Sequence, residues 1–261
     1  MRLFDTHCHL DDEQFDADRD AVVLRSTEAG VAAMVTVGVT AASSEACVAL
    51  AAKYSTVAAA VGVQPNHCAE IGPADWDRVT GLSVLPAVVA IGETGLDRFW
   101  DFTPFELQQE YFDRHLRLAQ RVGLPVIVHM RDCDDDVLAM LTEARRRGAL
   151  RGVMHSFSGT PGTALACLEL GLHISFAGMV TYKKSTALRE IAASVPEERV
   201  LIETDSPYLS PHPHRGRRPN EPALLVHTAA CLAETRGVSI EQVADCTTRN
   251  AEQLFRRDSI I

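Results

Sequence analysis

The sequence predicts an α/β fold, a single (β/α)8 barrel of the TIM type spanning residues 1–261. Three observations carry that expectation. Short apolar runs rich in β-branched residues alternate with helical segments, the pattern of a parallel sheet covered by helices. The alternation occurs eight times in 261 residues, about the length of one such barrel. Residues suited to metal ligation fall at the C-terminal ends of the strands, the face on which barrels of this kind build active sites. A doubly wound open sheet is the alternative, but no GxGxxG follows the first strand.

The elements read in order as follows. Arg2 to Asp5 is a short strand, with His7 and His9 directly after it. Asp11 to Phe15 is a polar loop, and Ala17 to Gly30 a helix with Gly30 as C-cap. Val31 to Gly38 is a buried strand, Ala41 to Lys53 a helix, and Val57 to Val63 a third strand leading into Gln64-Pro65-Asn66-His67. Asp75 to Leu85 is helical and Val88 to Glu93 is the fourth strand. A long helix follows, with Thr103 as N-cap, Pro104 at its first position and Glu106 completing a capping box. It runs to about Arg121, and Gly123 ends it. Leu124 to His129, Arg151 to His155, Leu172 to Phe176 and Arg199 to Asp205 are the remaining strands. Between them lie helices over Asp134 to Arg147, Pro161 to Leu170 and Thr186 to Ser194. Asn220 to Arg236 and Ile240 to Phe255, the latter capped by Ser239, close the chain. The one long loop, Ser206 to Pro219, is rich in proline, histidine and arginine, and long loops in compact domains are often functional.

Composition is that of an ordinary globular protein, 46% hydrophobic and 23% charged. No apolar stretch is long enough to span a bilayer, and the early acidic residues Asp5, Asp11 and Asp12 do not suit a signal peptide, so a cytoplasmic location is expected. Seven scattered cysteines without CxxC spacing suggest reduced, mostly buried thiols, with Cys8 in the core. The net charge of −10 argues against binding nucleic acid by bulk electrostatics. It is compatible with an enzyme whose bound cations and local arginines supply positive charge.

His7 and His9 stand two apart, so in an extended chain both imidazoles point the same way. Glu93, His129, His155 and Asp205 each end a predicted strand. Four imidazoles and two carboxylates exceed the three protein ligands of a single catalytic zinc. They suit two divalent ions sharing a carboxylate, with zinc or manganese preferred and magnesium less favoured on ligand type. Glu203, two residues before Asp205, is expected to orient a ligand imidazole from behind. His115, His173 and His227 are expected to be structural.

FDTHCHL, AIGETGLD, PVIVHMRD, HSFSG, ETDSPYL, RRPNEP and TRNAEQLF occur in this order through nearly the whole chain. Together they resemble the TatD family of metal-dependent hydrolases. The resemblance implies an amidohydrolase-like TIM barrel and deoxyribonuclease activity, including 3′-to-5′ exonuclease action on single-stranded DNA. It implies one metal on His7, His9, Glu93 and Asp205 and a second on Glu93, His129 and His155, with Glu93 bridging and Asp205 as general base. The chain departs from the family pattern in three places. Gln64-Pro65-Asn66-His67 stands where many relatives have a His-Pro turn, Arg98-Phe99 where an aromatic pair is common, and His115 where a glutamine is expected.

The expected reaction is phosphodiester hydrolysis by water activated between two divalent ions (Mg, Mn or Zn), with Asp205 taking the proton. Arg131, Lys183, Arg217 and Arg218 are the candidates for holding neighbouring phosphates of a DNA substrate. No membrane and no obligate protein partner are expected. The alternative is a metal-dependent amide, ester or lactone hydrolase on the same centre, because function lives in the pocket rather than the barrel.

Overall fold

The computed structural model describes residues 1–256. Eight parallel strands are hydrogen-bonded in sequence order, β1 (Leu3–Cys8), β2 (Val31–Val37), β3 (Val57–Val61), β4 (Val88–Asp97), β5 (Val126–Arg131), β6 (Gly152–Met154), β7 (His173–Phe176) and β8 (Val200–Ile202). Helices alternate with them: α1 (Arg19–Glu28), α2 (Ala41–Lys53), α3 (Asp75–Leu82), α4 (Phe105–Val122), α5 (Asp134–Arg147), α6 (Pro161–Glu169), α7 (Thr186–Ser194), α8 (Leu225–Arg236) and α9 (Ile240–Leu254). This is the TIM barrel that the alternation predicts. Sequential parallel pairing is what right-handed β–helix–β connections of this length produce.

The barrel closes at a seam between β1 and the chain beyond β8. Cys8 bridges to Ser206, Asp205 N–H donates to His7 O at 2.9 Å, and His9 N–H donates to Ser206 O at 2.7 Å. The seam therefore brings two strand-end segments together at the C-terminal mouth. Apolar residues form two layers. The larger lies between strands and helices and includes Met34, Ile91, Leu96, Phe112, Leu116 and Phe176. A smaller cluster of Phe4, Val35, Val37, Ala60, Ala90, Ile127, Val153 and Leu201 packs with Leu254 and Phe255 at the end of α9. Side chains rather than a channel thus fill the space below the mouth. All seven cysteines are unpaired and six of them, Cys8 included, are buried, as expected of reduced core thiols. No helix among the described residues is long and apolar enough to cross a membrane.

Most helix boundaries match the pattern of caps. Gly123 ends α4 in the left-handed conformation at φ 72°, and Ser239 forms a full capping box with Gln242. The helix expected from Asn220 starts only at Leu225, and three further differences bear on the site. The capping box expected at Thr103 is absent: α4 begins at Phe105 without a side-chain cap, and the Thr103 hydroxyl donates instead to Asn66 O and accepts from Ala69 N–H. A loop-to-loop tie has displaced the local cap. β4 continues past Glu93 to Asp97, since Gly95, Leu96 and Asp97 pair with His129, Met130 and Arg131. β8 stops at Ile202, so Glu203 and Asp205 are not on a strand, and Asp205 lies at φ 54°. The turn there is held by Asp5, whose carboxylate accepts from both the backbone N–H and the hydroxyl of Thr204.

Gly95 shows how tightly β4 and β5 approach at the mouth. Its φ is +141°, and a Cβ would stand 2.0 Å from His129 O. Gly95→Ala is expected to lower the thermal midpoint by the equivalent of at least about 1–3 kcal/mol, since the backbone strain alone is of that order. An unchanged melting curve would show that the two strands can separate without cost.

Candidate metal centre

The structure brings all six predicted ligand residues together at the mouth, because strands β1, β4, β5 and β6 and the turn after β8 converge on one point. Glu93 is central and almost fully buried. Its Oε2 lies 3.4 Å from His7 Nε2 and 3.8 Å from His9 Nε2. Its Oε1 lies 2.9 Å from His129 Nδ1 and 3.2 Å from His155 Nε2. Asp205 Oδ1 is 3.7 Å from His7 Nε2 and 3.5 Å from His9 Nε2. The two histidine pairs approach edge to edge, His7 Nε2 to His9 Nε2 at 3.2 Å and His155 Nε2 to His129 Nδ1 at 3.4 Å.

These spacings fit a divalent cation. An ion held by tetrahedral ligands about 2.0–2.1 Å away has its donor atoms about 3.4 Å apart. The spacings among His7, His9, Glu93 and Asp205 scatter around that edge length, as do those among Glu93, His129 and His155. Two overlapping triads, His7–Glu93–His155 and His7–His9–Asp205, have all their donor atoms within 4.8 Å of one another.

Groups behind the cluster set which ring nitrogen faces inward. His9 Nδ1 donates to Val37 O at 2.9 Å, leaving Nε2 toward the centre. His129 Nε2 donates to Asp97 Oδ2 at 2.9 Å, which turns Nδ1 toward Glu93. His155 Nδ1 lies 3.3 Å from Glu203 Oε1, the position expected of an orienting carboxylate. Glu203 Oε1 also accepts from Ser156 N–H at 2.6 Å. Such outer partners fix tautomer and ring orientation.

The electrostatics ask for a cation. Burial works to raise the Glu93 pKa, yet the imidazoles of His155, His129 and His7 outweigh it and hold the carboxyl well below its ordinary range. Burial likewise opposes, and the histidines reverse, the shift of Asp205, whose pKa is lowered. Burial would lower His155 and His129, but Glu93 and Glu203 raise the first and Asp97 and Glu93 the second. Only His7, buried and stacked 4.0 Å from His155, is held below its usual value. Clustered carboxylates thus draw positive charge into the site, as protons when no metal is bound.

The mouth opens into a cleft of about 970 Å³. Of the four residues expected to hold phosphates, Arg131 and Arg218 line it, whereas Lys183 and Arg217 are not part of its lining. Arg217 is turned away by Glu221, whose Oε1 accepts from its Nη2 at 2.8 Å while Oε2 accepts from Arg25 Nε at 2.8 Å. A buried carboxylate that ties two guanidiniums fixes the loop base and removes Arg217 from the substrate side. Lys183 follows the 3₁₀ turn Gly178–Thr181, and Met179 of that turn is what reaches the cleft.

Several site residues escaped the sequence reading. Asp97 accepts from His129, from Asn66 Nδ2 and, through Oδ1, from the backbone N–H groups of Phe99 and Trp100. Gln108 on α4 locks the same turn by accepting from Asp97 N–H and donating to Asp97 O and Thr103 O. Extending the fourth strand through Gly95 would have put Asp97 on the face of Glu93 by two-residue alternation. Gln64 and Asn66, where the family pattern breaks, both line the cleft. His115 is buried and accepts from Val63 N–H, a structural role as expected.

A family model described as TatD related DNase matches residues 4–256. The chain belongs to the TatD family. TatD relatives of similar length include an uncharacterized metal-dependent hydrolase, YabD, of Bacillus subtilis, 39% identical over 97% of this chain and 99% of its own. A second, named 3′-5′ ssDNA/RNA exonuclease TatD, from Citrobacter rodentium, is 38% identical and covered over 97% of both chains. The crystal structure of the TatD homologue YjjV of Escherichia coli superposes with a TM-score of 0.92 at 32% identity, over 98% of this chain and 99% of that one. The protein is thus a metal-dependent hydrolase of the TatD family.

With divalent ions removed by a chelator, His9 is expected to hold its proton to about pH 9, because Asp205 outweighs the burial that opposes it. Its folded value lies above the ordinary 6.5, so this contribution to stability is complete below about pH 6.5 and fades as the pH climbs through about 9. Histidine NMR titration checks the midpoint, and Asp205→Asn should bring it down. A His9 midpoint near 6.5 in the wild type would contradict this balance.

Proposed function

We propose that the chain is a divalent-metal-dependent nuclease that hydrolyses phosphodiester bonds of single-stranded DNA from the 3′ end. What carries the reading is the division of Glu93 between two imidazole pairs at an open cleft, a donor set for two ions rather than one. His7, His9, Glu93 and Asp205 would hold the first and Glu93, His129 and His155 the second. Divalent ions held by these residues would supply a lowered pKa for water and positive charge opposite a phosphoryl oxygen.

The protein's own residues do the rest. Asp205 is ionised at neutral pH and accepts the proton that the attacking water sheds. Glu93 holds the two halves of the cluster at fixed spacing. Asp97 and Glu203 keep His129 and His155 turned inward, so no reorganisation is needed when substrate arrives. Arg131 and Arg218, at the rim, meet phosphates adjoining the scissile one. The exonuclease names borne by several relatives support the nucleic-acid substrate.

The test is a panel of 5′- and 3′-labelled oligonucleotides, an aryl phosphodiester, and carboxyl esters and lactones, each with manganese, magnesium or zinc. Shortening of the single strand from its 3′ end is expected. Hydrolysis of esters or lactones with intact oligonucleotides would replace the nuclease reading by an acyl hydrolase. In the same assay Asp205→Asn should lower the rate roughly 10²–10⁴-fold, the usual worth of a positioned proton acceptor. A folded Asp205→Asn protein within a few-fold of wild type would remove Asp205 from that role.

Metal analysis tests the shared carboxylate. Glu93→Ala should lose metal from both positions together, since each oxygen serves one half of the cluster. Loss of one equivalent with the other retained at wild-type affinity would show that Glu93 does not bridge.

A further inference from the structure

The cleft has an aromatic edge that the proposed hydrolysis leaves unused. Immediately after β4, Phe99, Trp100 and Phe102 are 51%, 45% and 62% exposed, a cluster of large aromatic surface that a folded protein rarely leaves to solvent. The rings are ordered against one another. Trp100 and Phe102 stack at 5.3 Å with planes 12° apart, and Phe99 meets Trp100 edge-on at 4.8 Å. Trp100 and Phe102 line the cleft. The guanidinium of Arg131 lies 3.7 Å over the Phe99 ring. On the opposite side of the eight-stranded barrel, the loop after β8 supplies Tyr208 and Arg218 to the same cleft.

The shelf is also tied to the metal centre. Asp97 accepts from the Phe99 and Trp100 backbone N–H groups at 2.8 and 3.1 Å through Oδ1, and from His129 at 2.9 Å through Oδ2. One buried carboxylate thus sets both the orientation of a candidate ligand and the position of the aromatic rings. A shelf kept at fixed distance from the site of cleavage suits a substrate whose repeating units carry flat apolar groups beside anionic links.

We infer that Phe99, Trp100 and Phe102, with Arg131, form a stacking subsite for an unpaired base of the strand being cleaved. The inference rests on the nuclease reading and names the part of the substrate it left unassigned. Base stacking on aromatic rings is sequence-tolerant because every base presents a π-face, and it requires a base free of its own neighbours. Arg131 adds positive charge next to the rings in a chain of net charge −10, complementary to the phosphate that follows a stacked base. A duplex, whose bases are stacked inside, cannot use the shelf, so the subsite also selects single strands.

The chain has two tryptophans, Trp76 on α3 and Trp100, so Trp76→Phe leaves Trp100 as the sole reporter. Full-length Trp76→Phe protein in manganese buffer is titrated with a nuclease-resistant phosphorothioate oligothymidylate and with an abasic phosphorothioate strand of equal length. Quenching of Trp100 emission by the first strand and not by the second is expected. In the otherwise wild-type chain, Trp100→Ala should weaken binding of the base-bearing strand about five- to a hundredfold, the usual worth of one stacked base, and leave the abasic strand unaffected. Trp100→Phe should retain most of the affinity. Equal losses on both strands, or tight binding of oligothymidylate without any change in Trp100 emission, would overturn the subsite. Cleavage of unmodified oligothymidylate by the wild type is measured alongside. If it proceeds while Trp100 stays silent, the shelf falls alone; if only esters are cleaved, the nuclease reading falls and takes the shelf with it.

Discussion

The arrangement depends on Glu93 and the four imidazoles that surround it. A nearly buried carboxylate without compensation would take up a proton, but here one oxygen faces His7 and His9 and the other faces His129 and His155. Holding that arrangement requires four chain segments to meet at one height. The parallel barrel provides it: β4 and β5 run side by side past the site, β6 delivers His155, and β1 delivers His7 and His9. The absence of a side chain at Gly95 is what lets β4 pair so closely with the His129 backbone there.

Asp205 reaches the centre by a different route. The chain leaves β8 early and turns through a left-handed residue, and the barrel seam is completed by backbone hydrogen bonds between this turn and the His7–His9 segment. Asp5 sits beneath the seam, where burial pushes its carboxyl up to about 7 against the hydrogen bonds from Thr204 and His7 that favour its ionised form. Asn220 ties the other side of the turn by donating to Thr204 O and Tyr208 O. Strained backbone of this kind persists only where its surroundings over-determine it, and it concentrates at functional sites.

The proposed action on an anionic polymer would require an acidic protein to keep its positive charge local. Divalent cations held by the candidate ligands would supply most of it, and Arg131 and Arg218 line the same cleft. The neighbouring guanidiniums are committed elsewhere, Arg217 to Glu221 and Arg98 to Asp136. Their carboxylate partners convert apparent substrate-binding charge into loop structure.

By itself the sequence determined the barrel and the six residues at its mouth. Strand and helix periods are local properties, and a ligand-type residue at a strand end is visible in one dimension once the strands are placed. Hence the α2, α5 and α7 boundaries agree with the structure to the residue, and His7, His9, Glu93, His129, His155 and Asp205 lie together at the mouth. Only the tertiary structure decided which arginines face the cleft. A guanidinium's direction depends on carboxylates brought near by folding, and Arg25, 196 residues away from Glu221 in sequence, helps to hold the carboxylate that Arg217 joins. The same holds for Asp97 and Asp5, whose partners His129 and Thr204 lie 32 and 199 residues away. It holds for Thr103 as well, whose local cap lost to a contact with Asn66 across the loop. Local propensity yields to such contacts because folding can satisfy a buried polar group by whichever partner the packing brings within reach.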